Sequence, residues 1–126
     1  SQYVANALGI ERILTSNYNT ECRIILIEIE NTRILKNLQP DFNALVESVT
    51  GINGVLVTAK AEDKLYDFHY RYFWPWAGTN EDPVTGSVHT VLAGYWGKRF
   101  SKTTLKAYQH LGRVRPSSGD QSELFR

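Results

Sequence analysis

Pro83-Val84-Thr85-Gly86-Ser87-Val88-His89-Thr90-Val91-Leu92-Ala93-Gly94-Tyr95-Trp96-Gly97-Lys98-Arg99-Phe100 is the strongest helical stretch in the chain. Val88, Val91, Leu92, Tyr95 and Trp96 recur at helical spacing and cover one broad face, while Gly86, Ala93 and Gly94 keep another face thin. A helix that is apolar or small nearly all round is normally buried. Sheets wrapped around one central helix would bury it in that way. This stretch therefore points to an α+β fold in which strands surround a central helix.

The segments before it supply the strands. Ile24 to Ile29 is rich in β-branched residues and continuously apolar, which predicts a strand buried on both faces. Gly54 to Ala59 and Leu65 to Phe73 read as two more strands, joined by the charged Lys60-Ala61-Glu62-Asp63-Lys64. Ile10 to Thr15 reads as a strand running into a polar turn at Ser16-Asn17-Tyr18-Asn19, and residues 2–8 read as a short helix stopped by Gly9. Asn31 to Pro40 reads as a connector. Asp41 then caps a helix whose Phe42, Leu45, Val46 and Val49 share a face until Gly51. Trp74 to Asp82 reads as a loop, and Thr103 to Tyr108 as the last strand. Residues 110–126, with Gly112, Pro116, Ser117, Ser118 and Gly119, read as a turn-rich or mobile tail without sheet strands.

The 126 residues are 42% hydrophobic and 21% charged, a globular composition for one domain. Fourteen Lys and Arg against thirteen Asp and Glu leave a net charge of +1. That balance gives no broad footprint for nucleic acid or an anionic membrane, but it allows a local site for a small anion. The aromatic run Phe68, Tyr70, Tyr72, Phe73, Trp74 and Trp76 has only Arg71 among it, so packing is expected rather than base stacking. Cys22 is the sole cysteine, which excludes an intrachain disulfide and favours a reducing, cytoplasmic setting. It sits in an apolar run and reads as a buried, inert thiol. His69, His89 and His110 have no metal-ligand spacing, and no metal is expected. No stretch approaches the ~18 apolar residues of a spanning helix. Ser1-Gln2-Tyr3-Val4 does not read as a signal peptide, and a chain that opens on Ser and lacks methionine reads as a processed product or an excised piece.

Acids, hydroxyls and glycine concentrate where loop becomes helix, in Gly78-Thr79-Asn80-Glu81-Asp82-Pro83-Val84-Thr85-Gly86-Ser87. The first turn of a helix has unpaired N–H groups and a partial positive potential, so a carboxylate or phosphate suits it. Gly86 lets an anion approach the backbone, and Thr85 and Ser87 add hydroxyl donors. Together they form a candidate cradle for a substrate carboxylate. Asp82 before Pro83 also reads as an ordinary N-cap, and Thr85 as a later one. His89 reads as a packed or hydrogen-bonded histidine and not as a general base.

Arg71-Tyr72-Phe73-Trp74-Pro75-Trp76, then Glu81-Asp82-Pro83-Val84-Thr85-Gly86-Ser87-Val88-His89, then Leu92 and Tyr95-Trp96, resembles the PhzF family. Its members are phenazine-biosynthesis-like isomerases with the diaminopimelate-epimerase fold. The likeness extends more loosely over residues 1–109. It implies a protein of two similar lobes, each a curved, mostly antiparallel sheet around a central helix, with the active site between them. Residues 1–109 would be the second, C-terminal lobe, followed by the divergent tail. Asp82 would help hold the substrate, Gly86 and Ser87 would bind or support the reacting acid, and Asp82 and Ser87 would count as catalytic. The chemistry implied is proton transfer beside a carboxylate, with no cofactor.

The resemblance also implies a general acid/base glutamate in the first lobe, and no residue of this chain corresponds to it. Activity would then require an N-terminal lobe, either in the same parent chain or as a separate chain. An exposed sheet edge, left by the altered tail, leaves room for a homodimer. The rival reading is a non-catalytic binding protein that keeps the fold, which the missing glutamate favours. A racemase of the same fold would need paired cysteines across the cleft, and Cys22 is remote in sequence from Ser87.

Overall fold

The computed structural model describes residues 2–77, 79–81, 86–110 and 121–125. In chain order the elements are α1 (Gln2–Leu8), β1 (Thr15–Asn19), β2 (Ile24–Ile29), α2 (Thr32–Asn37), α3 (Phe42–Ser48), β3 (Gly54–Lys60) and β4 (Phe68–Trp74). A 3-10 turn (Pro75–Ala77), β5 (Thr79–Glu81), α4 (Gly86–Phe100), β6 (Leu105–Gln109) and β7 (Gln121–Phe125) complete them. The strands form one seven-stranded sheet in the order β1-β2-β3-β4-β6-β7, with β5 beside the end of β4. β2 with β3 and β4 with β6 are parallel, and the other pairings are antiparallel. This is an α+β, mostly antiparallel architecture.

Both faces of the sheet are covered, which explains the continuous apolar character of β2 and β3. On one face α1, α2 and α3 pack Val4, Leu8, Leu35 and Leu45 against Ile27, Ile29, Val55, Val57 and Phe73. On the other face α4 packs Val88, Val91, Leu92 and Trp96 against Leu26, Leu56, Phe68, Tyr70 and Tyr72. β4 alternates between the two cores, as strand geometry requires. Trp96 is fully buried and stacks between Phe68 at 5.4 Å and Phe100 at 5.2 Å. Its Nε1 donates to Thr58 Oγ1 at 3.0 Å, so the largest side chain of the helix leaves no buried donor unpaired.

α1 ends as a left-handed glycine cap. Gly9 has φ +79°, its N–H donates to Asn6 O, and the N–H of Ile10 donates to Ala5 O. α3 begins as its sequence predicts, with Asp41 accepting from the N–H of Ala44 at 3.0 Å.

Four local expectations are corrected. β1 occupies Thr15–Asn19, the predicted polar turn, because this exposed edge strand is defined by pairing with β2 rather than by its own apolarity. Ile10 instead closes the α1 cap. The predicted connector 31–40 contains α2, whose ends are satisfied by its own N-cap and by distant parts of the chain. Asn31 and Glu62 accept its first amides, and Arg71 reaches its last carbonyls. A helix this short is marginal alone, so tertiary partners decide it. The predicted loop 74–82 contains the 3-10 turn and β5. Residues 121–125 of the predicted strandless tail pair with β6 from Leu105↔Phe125 to Gln109↔Gln121. The fold class itself holds: α4 packs its apolar face on the sheet, with Thr90 and Gly94 on its far side exposed.

Close approach, not backbone freedom, explains Gly54. A Cβ there would lie within 2.5 Å of Cζ and Oη of the buried Tyr72. Gly54→Ala is expected to destabilise the fold by about 1–3 kcal/mol, the usual range for overpacking. Chemical denaturation would measure it. The cost should shrink in a Tyr72→Leu background, because the two residues share the clash.

Candidate functional site

The registers fix where α4 starts. Ile24 opposite Gly54 and Val55 opposite Phe73 place the start of β2, the start of β3 and the end of β4 at one end of the sheet. β5 folds back there, with Glu81 opposite Phe73. From that end α4 runs back across the sheet until Trp96 meets Phe68 at the start of β4. The N-terminus of α4 thus opens at the sheet end where β4 finishes.

Gly86 and Ser87 occupy the first turn of α4 and are both exposed. Among the described residues, a Cβ at Gly86 would meet nothing within 4 Å, so they leave the approach to this turn open from that side. Thr90 Oγ1 donates to Gly86 O at 3.0 Å, which ties down the carbonyl of the first residue. Gly86 and Ser87, two of the four predicted site residues, thus both stand in the first turn of α4. Asp82 and Thr85, the other two predicted site residues, lie outside the described residues, together with Pro83 and Val84. His89 is half-buried one turn on.

Cys22 departs from its expectation. It lies in the turn between β1 and β2, half-buried against the α4-side core, not on a strand. That turn is at the same end of the sheet as the α4 entrance. Its backbone is held by Asn19 and Asn53. Among the described residues no group of three or more His, Cys, Asp or Glu could hold a metal ion. No helix among them is long and apolar enough to cross a membrane.

Sequence reasoning missed a polar cluster farther along α4. Glu28 is 2% exposed on β2 and faces the helix. It accepts from Tyr95 Oη at 2.5 Å and from Arg99 Nη1 at 2.6 Å and Nη2 at 3.3 Å. Thr15 Oγ1 lies 2.8 Å from Tyr95 Oη, extending the cluster to β1. Burial first, and the hydrogen bond to Glu28 second, hold the Tyr95 phenol above its ordinary range. One signal was present in the sequence: a carboxylate inside an apolar strand must find a partner, and Tyr95 and Arg99 are spaced to share one helix face. These bonds tie Glu28 to the helix, so its carboxylate anchors α4 and is not placed as a proton shuttle.

The fold is that of the phenazine biosynthesis-like class. Residues 3–117 match the family of phenazine biosynthesis-like proteins, PhzC-PhzF, and this chain belongs to that family. It is 35% identical over 112 residues to the mouse phenazine biosynthesis-like domain-containing protein 1, covering 82% of this chain and 39% of that protein. It is 45% identical over 84 residues to a protein of Halalkalibacterium halodurans named as an uncharacterized isomerase, covering 67% of this chain and 31% of the relative. The crystal structure of a PhzF-family protein from Enterococcus faecalis superposes with a TM-score of 0.78 at 31% identity, covering 100% of this chain and 50% of the other. The chain thus spans about two fifths of the mouse relative and half of the Enterococcus structure.

Proposed function

We propose that this chain is the C-terminal lobe of a PhzF-like, cofactor-independent isomerase, and that it receives the carboxylate of a small substrate at the start of α4. Gly86 and Ser87 present amide donors, and the Ser87 hydroxyl joins them. Asp82 and Thr85 complete the cradle in this reading. A general acid/base glutamate on another lobe moves the proton at the adjacent carbon. The observation that supports this most is the open, exposed first turn of a fifteen-residue helix at Gly86 and Ser87. Two relatives named as isomerases point the same way.

The test is to combine the chain with a PhzF-type first lobe and follow solvent deuterium uptake into small carboxylic acids. Uptake is expected with both lobes present and not with either alone. Gly86→Ala should leave the thermal midpoint unchanged, since its Cβ enters open space. It should weaken binding of the same acid by about tenfold, because the methyl group stands where the carboxylate approaches. Equal uptake and equal affinity in Gly86→Ala would contradict the proposal.

A further inference from the structure

His69 Nδ1 and His110 Nε2 lie 2.9 Å apart, joining β4 to the residue just after β6. The His110 N–H donates to Tyr70 O at 3.0 Å, so the same junction is also a backbone contact. His110 is 7% exposed, and His69 is half-buried. Their rings, with centroids 5.0 Å apart, sit in a cage with Tyr108, which is 5.3 Å from His69 and 4.8 Å from His110. Tyr66 closes the cage edge-on to His69 at 5.5 Å. His69 Nε2 is buried and has no hydrogen-bond partner among the described residues.

An N···N contact this short needs one hydrogen between the rings. One ring therefore donates and the other accepts, and the two tautomeric arrangements share the same single bridging hydrogen. One added proton leaves that bridge in place as an imidazolium–imidazole bond. A second added proton puts N–H groups on both facing nitrogens, where each repels the other. We infer that the His69–His110 pair is a proton-operated latch, closing the junction between β4 and the end of β6 while the rings share one hydrogen and opening it when each ring carries its own. β6 carries β7 on its outer edge, with Gln109 opposite Gln121, so the latch sits at the root of that edge pair.

The surroundings set the sign. Among the described residues, the charged groups acting on His69 are Asp63 and Glu62 in the β3–β4 connection. Tyr66 belongs to that connection, Tyr108 faces from β6, and the β3 residue opposite His69 is the uncharged Ala59. Burial dominates and pushes His69 below its ordinary 6.5, while the two carboxylates act weakly against it. A depressed histidine gives stability that is full above pH 6.5 and lost as pH falls through its folded value.

The test is a titration of the whole chain from about pH 7.5 to about pH 4.5, following the imidazole nitrogens by NMR and amide exchange at His110. After correction for intrinsic exchange, and relative to Val57 in β3, His110 exchange should accelerate about tenfold per pH unit once the second proton binds. His110→Gln should remove the second, low-pH protonation step, leave His69 with one uncoupled midpoint, and flatten the pH dependence of exchange at position 110. If that variant unfolds, His69→Gln should leave His110 with one uncoupled midpoint in the same way, and the wild-type titration already reads the coupling. Two histidines titrating independently near pH 6.5, each indifferent to replacement of the other, would overturn the proposal, as would flat His110 exchange across the range.

Discussion

Replacing Arg71 with alanine is expected to destabilise the chain by about 3–5 kcal/mol, the largest single effect in the described residues. Arg71 is 1% exposed and stands on β4 under the C-terminal end of α2. Its Nη1 donates to Leu35 O at 3.0 Å, Leu38 O at 2.8 Å and Lys36 O at 3.4 Å. These carbonyls carry the negative end of a helix that ends at Asn37, and a cation there is favourable. The guanidinium also lies 4.9 Å from the Phe73 ring. Alanine would remove the donors, leave buried acceptors unsatisfied and open a cavity. Arg71→Met keeps most of the volume without the donors, so it separates the two contributions. Chemical denaturation should place Met between wild type and Ala. A Met variant as stable as wild type would show that the hydrogen bonds contribute nothing net.

Arg99→Ala is expected to cost about 2–3 kcal/mol, the low end for breaking a buried pair, because Arg99 is 46% exposed and partly screened by water. The cost arises at Glu28, which loses both guanidinium donors and, among the described residues, keeps the Tyr95 hydroxyl as its side-chain partner within the 2% exposed site. Adding Glu28→Gln to Arg99→Ala should recover part of the loss, since it removes the unpaired charge. The interaction energy from that double-mutant cycle should be about 1 kcal/mol or more. Strict additivity of the two changes would mean that the pair does not anchor α4 to β2.

These two arginines also show what the sequence could and could not convey. β2 and β3 were legible because burial on both faces leaves an unbroken apolar run, and α4 because its apolar face repeats at helical spacing. α3 announced itself through Asp41, a local cap. α2 has a local cap in Asn31 but only six residues, and the other groups that satisfy its ends, Glu62 and Arg71, arrive from 30 and 33 or more positions away. β1 was misplaced because an exposed edge strand of Thr15-Ser16-Asn17-Tyr18-Asn19 carries no apolar signal of its own. β7 lies in a segment of turn-forming composition and exists through its pairing with β6. Of the proposed site, what was readable is that Gly86 and Ser87 fall at the start of a long helix. The Glu28 cluster and the histidine pair were not, since each depends on which strands become neighbours.

The most direct test of the proposed site is an NMR titration of the chain with a small dicarboxylate, observing backbone amides. The account predicts saturable shifts at Gly86 and Ser87, fitting one dissociation constant, with Gly54 and Ile24 nearby in the sheet unmoved. Titration to saturation with no change at Gly86 and Ser87, or shifts spread evenly over exposed lysines, would contradict an anion-receiving entrance to α4.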